Sequence, residues 1–283
     1  MEETLFVAGT CTRVALSQLS LMKQMIGTEN MDKSPASKAY STDEWELRVQ
    51  LAACYRIFDY LGWDELIFNH ITAKIPGDTE HFLINPYGLL YSEVSASNLV
   101  KVDIQGNILE DSKYRVNPAG MVIHSAIHAA RPDVHCIAHT HTTAGMTVAC
   151  QEQGLRRDNF YSVLLHNRIA YHEFEGITVR DDEKARLVTN LGNRDFAILR
   201  NHGLLTCGLD IAGAFFNMWS LQRACEVQVA CDSTGLPITP ISEDIAERSA
   251  ELLDIQTAGS SWGALEFQAM MRRIDKLDPT YRS

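Results

Sequence analysis

The chain has 283 residues, with 36 acidic against 25 basic side chains and a formal net charge of −11. A composition that is 46% hydrophobic and 22% charged belongs to a folded globule rather than a disordered chain, and the acidity argues against a nucleic-acid binder, which needs a basic face. Seven cysteines, an odd number without a CxxC pair, read as reduced thiols. With an acidic start and no apolar run near the ~18 residues of a membrane span, they predict a cytoplasmic protein with no leader and no membrane association.

In chain order, residues 1–40 carry little periodicity and end in a polar Gly, Asn, Ser and Pro stretch, so they are expected to be a flexible lead-in. Ser41 followed by Glu44 is a capping-box pattern and predicts a helix start, continued by the stripe Leu47, Leu51, Tyr55, Phe58 and Leu61. Ile67–Ile75 alternates and is β-rich, Pro76-Gly77-Asp78 is a turn, and His81–Asn85 and Leu99–Asp103 read as strands. Residues 119–130 read as helix, Val134–His141 as strand, 142–152 as a short helix, and Phe160–Tyr171 as mostly strand. A helix over Asp181–Leu191 stops at Gly192, and Asp195–Arg200 is a buried strand. A long helix follows over about Asp210–Cys231, with further helices at Ser242–Ile255 and Ala264–Ile274. Interleaved helices and strands without an internal linker predict a single α/β domain over 41–235 and a helical tail over 236–283.

Two segments carry chemistry. In His139-Thr140-His141, residues two apart on a strand project to the same face, which sets two imidazoles around one divalent ion; the same pattern also arises where a strand simply leaves the core. Cys136 has the opposite parity and points away. Phe196–Leu199 then runs into Arg200-Asn201-His202-Gly203, which offers His202 as a third ligand and a glycine for a tight turn.

Ala138-His139-Thr140-His141 and Leu199–Leu205 together resemble the class II aldolase/adducin family, and the tail around Ala264-Leu265-Glu266-Phe267 and Leu277-Asp278-Pro279-Thr280-Tyr281 resembles its bacterial adducin-like branch. Phe68-Asn69-His70-Ile71-Thr72, Ile84–Tyr91 and His124–Asp133 extend the resemblance over about residues 45–235. The resemblance implies a single three-layer α/β/α sandwich with a mainly antiparallel central sheet. It also implies a homotetramer with sites near subunit interfaces, and a zinc ion on His139, His141 and His202 that stabilises an enediolate. Without thiolate ligands, Fe2+, Co2+ or Mn2+ would also be accommodated.

The sequence departs from the sugar-phosphate aldolases at the position of their catalytic glutamate, which is Gly120 here, and at two phosphate-binding serines, which are Pro118 and Ala119. Asn69 and Gly88 match phosphate-loop positions, while Tyr87 stands in for a threonine. Gly120 cannot move a proton. His124 and His128, four apart on one helix face, and Glu93 are therefore the candidate proton carriers, with Asn69, Tyr87, Gly88 and Arg200 as candidate substrate contacts. The resulting expectation is a metal-dependent carbon–carbon lyase, aldolase- or decarboxylase-like, acting on a small hydroxy/keto compound. The alternatives are a non-haem iron oxygenase of hydroxy acids and a non-catalytic adducin-like binding protein.

Overall fold

The computed structural model describes residues 40–78, 80–176, 182–257 and 263–283. Apart from Tyr40, the expected lead-in lies outside the described residues, as does Asp181 at the expected start of a helix. The elements in chain order are α1 (Thr42–Leu61), β1 (His70–Lys74), β2 (His81–Ile84), β3 (Val100–Asp103), α2 (Pro118–Ala130), β4 (Cys136–Thr140) and α3 (Thr143–Cys150). There follow α4 (Phe160–Leu164), β5 (Ile169–His172), α5 (Glu183–Leu191), β6 (Phe196–Leu199), β7 (Gly203–Gly208), α6 (Ile211–Thr234), α7 (Glu243–Thr257) and α8 (Ala264–Leu277).

The strands form one seven-stranded sheet in the order β3-β2-β1-β4-β7-β6-β5. All pairs are antiparallel except β5 with β6. Period-2 alternation sends neighbouring side chains to opposite layers. On one face α1 and α6 pack against the sheet, with Thr140 Oγ1 touching Met218 and Thr206 Oγ1 donating to the Ala214 carbonyl. On the other face α2 and α5 bury Ile123, Ile127, Leu187 and Leu191 against Ile137, Leu205 and Cys207. The expected α/β/α sandwich with a mainly antiparallel sheet is the observed one. Among the described residues no helix is long and apolar enough to cross a membrane.

Three local expectations need correction. Ser41 caps α1 by accepting the Glu44 backbone N–H at 3.2 Å, but the Glu44 carboxylate does not close the box. It accepts from Arg48 Nε at 3.1 Å and Lys101 Nζ at 3.0 Å, because a fully buried guanidinium demands counter-charge more than a helix end does. The expected strand over Phe160–Tyr171 begins only at Ile169. Asn159 accepts the backbone N–H groups of Tyr161 and Ser162, and this local cap overrides the β-rich composition and starts α4. The tight turn expected at Gly203 is made at Asn201 instead, which takes φ +56°, a left-handed conformation that asparagine tolerates, and β7 returns alongside β6.

Arg48 also donates to the Leu99 carbonyl at 2.9 Å and to both Glu110 carboxylate oxygens at 2.9 and 3.0 Å. Arg48→Met takes the guanidinium from Glu110 and leaves Glu44 with Lys101 alone, and is expected to cost about 3–5 kcal/mol. Urea unfolding measures this, and a loss under about 1 kcal/mol would mean that Glu44 and Glu110 reach solvent in the variant. Beyond α6 the tail folds back onto α1. Arg56 pairs with Asp278 at 3.0 Å, and Tyr281 is fully buried with its carbonyl accepting the Ala96 N–H at 2.8 Å.

Candidate metal centre

β4 is the central strand, and His139 lies on it facing the α2 layer. Its Nδ1–H donates to the Leu204 carbonyl on β7 at 2.8 Å. A carbonyl can only accept, so this contact fixes the tautomer and leaves the Nε2 lone pair free to bind a cation. His141, just past the strand end, brings its Nε2 to 2.8 Å from that of His139, as the two-residue spacing predicts. His202 enters from the β6–β7 turn, with its ring centroid 4.8 Å from that of His139 and 4.9 Å from that of His141. The three candidate ligand nitrogens lie within 4.8 Å of one another.

Gly203 supports this approach for a different reason from the one expected. It needs no positive φ; a Cβ there would sit 2.3 Å from the Thr140 carbonyl, so glycine lets β7 close on β4. Burial holds His139 well below the usual imidazole pKa, and the neighbouring imidazoles add to this. Burial likewise lowers His202 to about 4, helped by His141 and His172, and lowers His141, with Glu65 acting partly against it. All three are therefore neutral at physiological pH, the form that binds metal. Glu65, Met146 and Cys150 join His141 around an open cavity of about 720 Å³.

Behind the triad lies a buried layer of imidazoles. His124 and His128 share one face of α2, as predicted, but they converge on Thr72 of β1: Thr72 Oγ1 is 2.8 Å from His124 Nδ1 and 2.8 Å from His128 Nε2. Burial pushes His128 down to about 3, with Lys74 contributing, and His124 well below its ordinary value, with His70 and His128 contributing. Thr72→Val removes the shared hydroxyl at nearly constant volume. It is expected to cost about 2 kcal/mol in urea unfolding while leaving metal content unchanged; loss of metal would show that the layer holds the triad in place.

Between this layer and the triad stands His70, a residue of the Phe68–Thr72 motif to which the sequence alone assigns no role. Its ring is 4.4 Å from that of His124 and 5.3 Å from that of His139. Burial lowers its pKa to about 3, with His141 contributing. The only sequence signal was its parity with Thr72 on β1.

The other candidates separate. Asn69 is 1% exposed, and neither its amide nitrogen nor its amide oxygen has a hydrogen-bond partner. Tyr87 is half-buried and bridges to Arg115, while Gly88 is exposed with φ +104°. Glu93 is not brought to the triad by any contact. Its carboxylate accepts the Leu90 N–H at 2.9 Å and caps a short turn. Arg200 stacks over Tyr171 at 4.4 Å and donates to the Gln151 carbonyl at 2.6 Å. Tyr91 is buried edge-on against Tyr55, as expected of a packing residue.

The arrangement is similar to known proteins. The profile of the "Class II Aldolase and Adducin N-terminal domain" matches residues 49–229. A Pseudomonas aeruginosa protein, named as a candidate aldolase class 2 protein, is 48% identical over 244 residues, spanning 86% of this chain and 94% of its own. Alpha-adducin of Rattus norvegicus is 41% identical over 275 residues, spanning 93% of this chain but 37% of the adducin. The solved L-fuculose 1-phosphate aldolase from Glaciozyma antarctica PI12 superposes with a TM-score of 0.75 at 29% identity, covering 86% of this chain and 96% of that one. The matched region contains every strand and all three clustered histidines, and the chain belongs to the class II aldolase and adducin family.

Proposed function

We propose that this protein is a divalent-metal-dependent carbon–carbon lyase, aldolase- or decarboxylase-like, acting on a small hydroxy/keto compound, with His139, His141 and His202 as the metal ligands. The observation that carries the reading is the convergence of three neutral imidazoles from β4 and the β6–β7 turn. The residues fit a metal. Their donors are all nitrogen, His139 is oriented by a carbonyl behind it, and its 2.8 Å spacing from His141 is near the roughly 3.3 Å between nitrogens on a tetrahedral ion. Zn2+ suits this set best, and Fe2+, Co2+ or Mn2+ are compatible.

A bound ion would supply Lewis acidity, polarising a carbonyl or hydroxyl oxygen and easing cleavage at the adjacent carbon. Three protein ligands leave room for a small bidentate compound. Asn69, whose buried amide lacks a hydrogen-bond partner, is a further candidate contact for it. With Gly120 offering no side chain and Glu93 engaged elsewhere, proton transfer at the substrate is not assigned to either. The family resemblance supports a homotetramer.

The test is metal analysis of protein purified without chelator, followed by a cleavage assay on short hydroxy-ketones and hydroxy acids. About one Zn2+ per chain and metal-dependent cleavage are the expected results. Absence of metal together with no rise in melting temperature on adding Zn2+ would overturn the lyase reading and favour a binding role like that open to the adducin relatives. Oxygen uptake with Fe2+ and a hydroxy acid would favour an oxygenase instead.

A further inference from the structure

Gly120 is the first turn of α2, and its close surroundings are unusual. A Cβ built there would lie 2.1 Å from Cδ2, 2.4 Å from Nε2 and 2.8 Å from Cγ of His70. No real Cβ tolerates such distances, so a side chain at 120 and the His70 ring in its present position exclude one another. The room that a side chain at 120 would take is occupied by an imidazole arriving from the neighbouring strand.

We propose that His70 is a substrate-positioning residue of the triad site, filling the place that Gly120 leaves open and hydrogen-bonding an oxygen of the bound hydroxy/keto compound. The proposal rests on the metal-lyase reading above. Three further observations support it. The antiparallel register pairs His70 with His139 across β1 and β4, so both side chains emerge on the same face, and their rings stack at 5.3 Å with 29° between planes. The ring is braced from behind by His124, edge-on at 4.4 Å, which Thr72 holds in turn. Such bracing fixes an orientation before any ligand arrives.

His70 Nδ1 is also buried and unpartnered, and so are both polar atoms of its neighbour Asn69. The Nδ1 of His139 has a carbonyl, whereas that of His70 has nothing. Buried polar groups without partners are rare in folded proteins, and one on a ring stacked against a candidate metal ligand points to a bound molecule that completes it. A neutral imidazole offers one N–H donor and one acceptor nitrogen, which suits a carbonyl or a hydroxyl oxygen.

The experiment uses the full chain loaded with Co2+, with glycolate as the probe, read by visible absorption, metal content and melting temperature. His70→Ala is expected to keep one Co2+ per chain and the resting spectrum, and to weaken glycolate binding at least tenfold. His70→Asn, which keeps a hydrogen-bonding group near the same place, should recover part of that loss. Gly120→Ala should lower the melting temperature by several degrees and also weaken glycolate binding. The double variant should regain most of that temperature, because the new methyl group then has room.

Wild-type glycolate affinity in His70→Ala would overturn the proposal and leave the ring a packing group. Loss of Co2+ or a changed resting spectrum in that variant would overturn it too, by making His70 a metal ligand. Independent losses in the double variant would overturn the pairing with Gly120. Failure of the wild-type protein to bind Co2+ would instead remove the metal reading itself.

Discussion

His139→Ala is expected to empty the triad and abolish turnover. All three rings touch one another, but His139 is the fully buried one, tied through its back nitrogen to the Leu204 carbonyl of the sheet. A four-ligand protein zinc site is worth about 10–16 kcal/mol in all, so losing one imidazole costs about 2.5–4 kcal/mol, or roughly 10²- to 10³-fold in affinity. Metal per chain should fall from about one to below a tenth after gel filtration, and cleavage should fall at least in proportion. His141→Ala and His202→Ala should lose metal similarly but with less effect on folding, because both side chains are only partly buried. Glu93→Gln and Arg200→Met should leave metal content unchanged. Unchanged metal in His139→Ala would show that the ion sits elsewhere.

The metal-free protein is expected to unfold steeply in mild acid. Unfolded imidazoles take a proton near pH 6.5, whereas burial holds His70 and His128 neutral down to about 3. Between those values the unfolded chain binds more protons than the folded one, so stability is complete above pH 6.5 and falls as pH drops below it. At pH 4.5 each of the two has lost about 2.7 kcal/mol of stability, about 5 kcal/mol together, and His124 shifts in the same direction. A domain with an ordinary 5–15 kcal/mol has little left at that point. Circular dichroism in a chelator should show cooperative unfolding between about pH 6 and 4. His128→Leu should reduce the proton uptake on unfolding by about one. Stability that stays flat from pH 7 to 4.5 would show that water reaches these imidazoles.

The parts of this molecule legible in the sequence are those governed by short-range rules. The two-residue parity of His139 and His141 follows from strand geometry alone, and so does the shared helix face of His124 and His128. What failed depends on partners distant in the chain. Glu44 looked like a capping residue because its competitor, Arg48, was visible but not its burial. The hairpin turn at Asn201 was hidden because Gly203 looked like a turn glycine when its role is close approach to β4. His70 escaped notice because its meaning lies in the register with His139 and the missing side chain of Gly120, and both contacts are set by tertiary packing. The short helix α4 was misread because side-chain caps can outweigh composition over five residues.

The bond from His139 to the Leu204 carbonyl joins positions 65 apart in the chain. The three candidate ligands therefore come together only after β4 and β7 have found one another and the whole intervening segment has been looped out. Closing such a loop is an entropic cost met late, once long-range strand pairing is in place. A metal ion cannot seed this fold from an unfolded chain. Its uptake should instead mark the end of refolding, lagging the appearance of helix, and so serve as a clock for assembly of the central sheet.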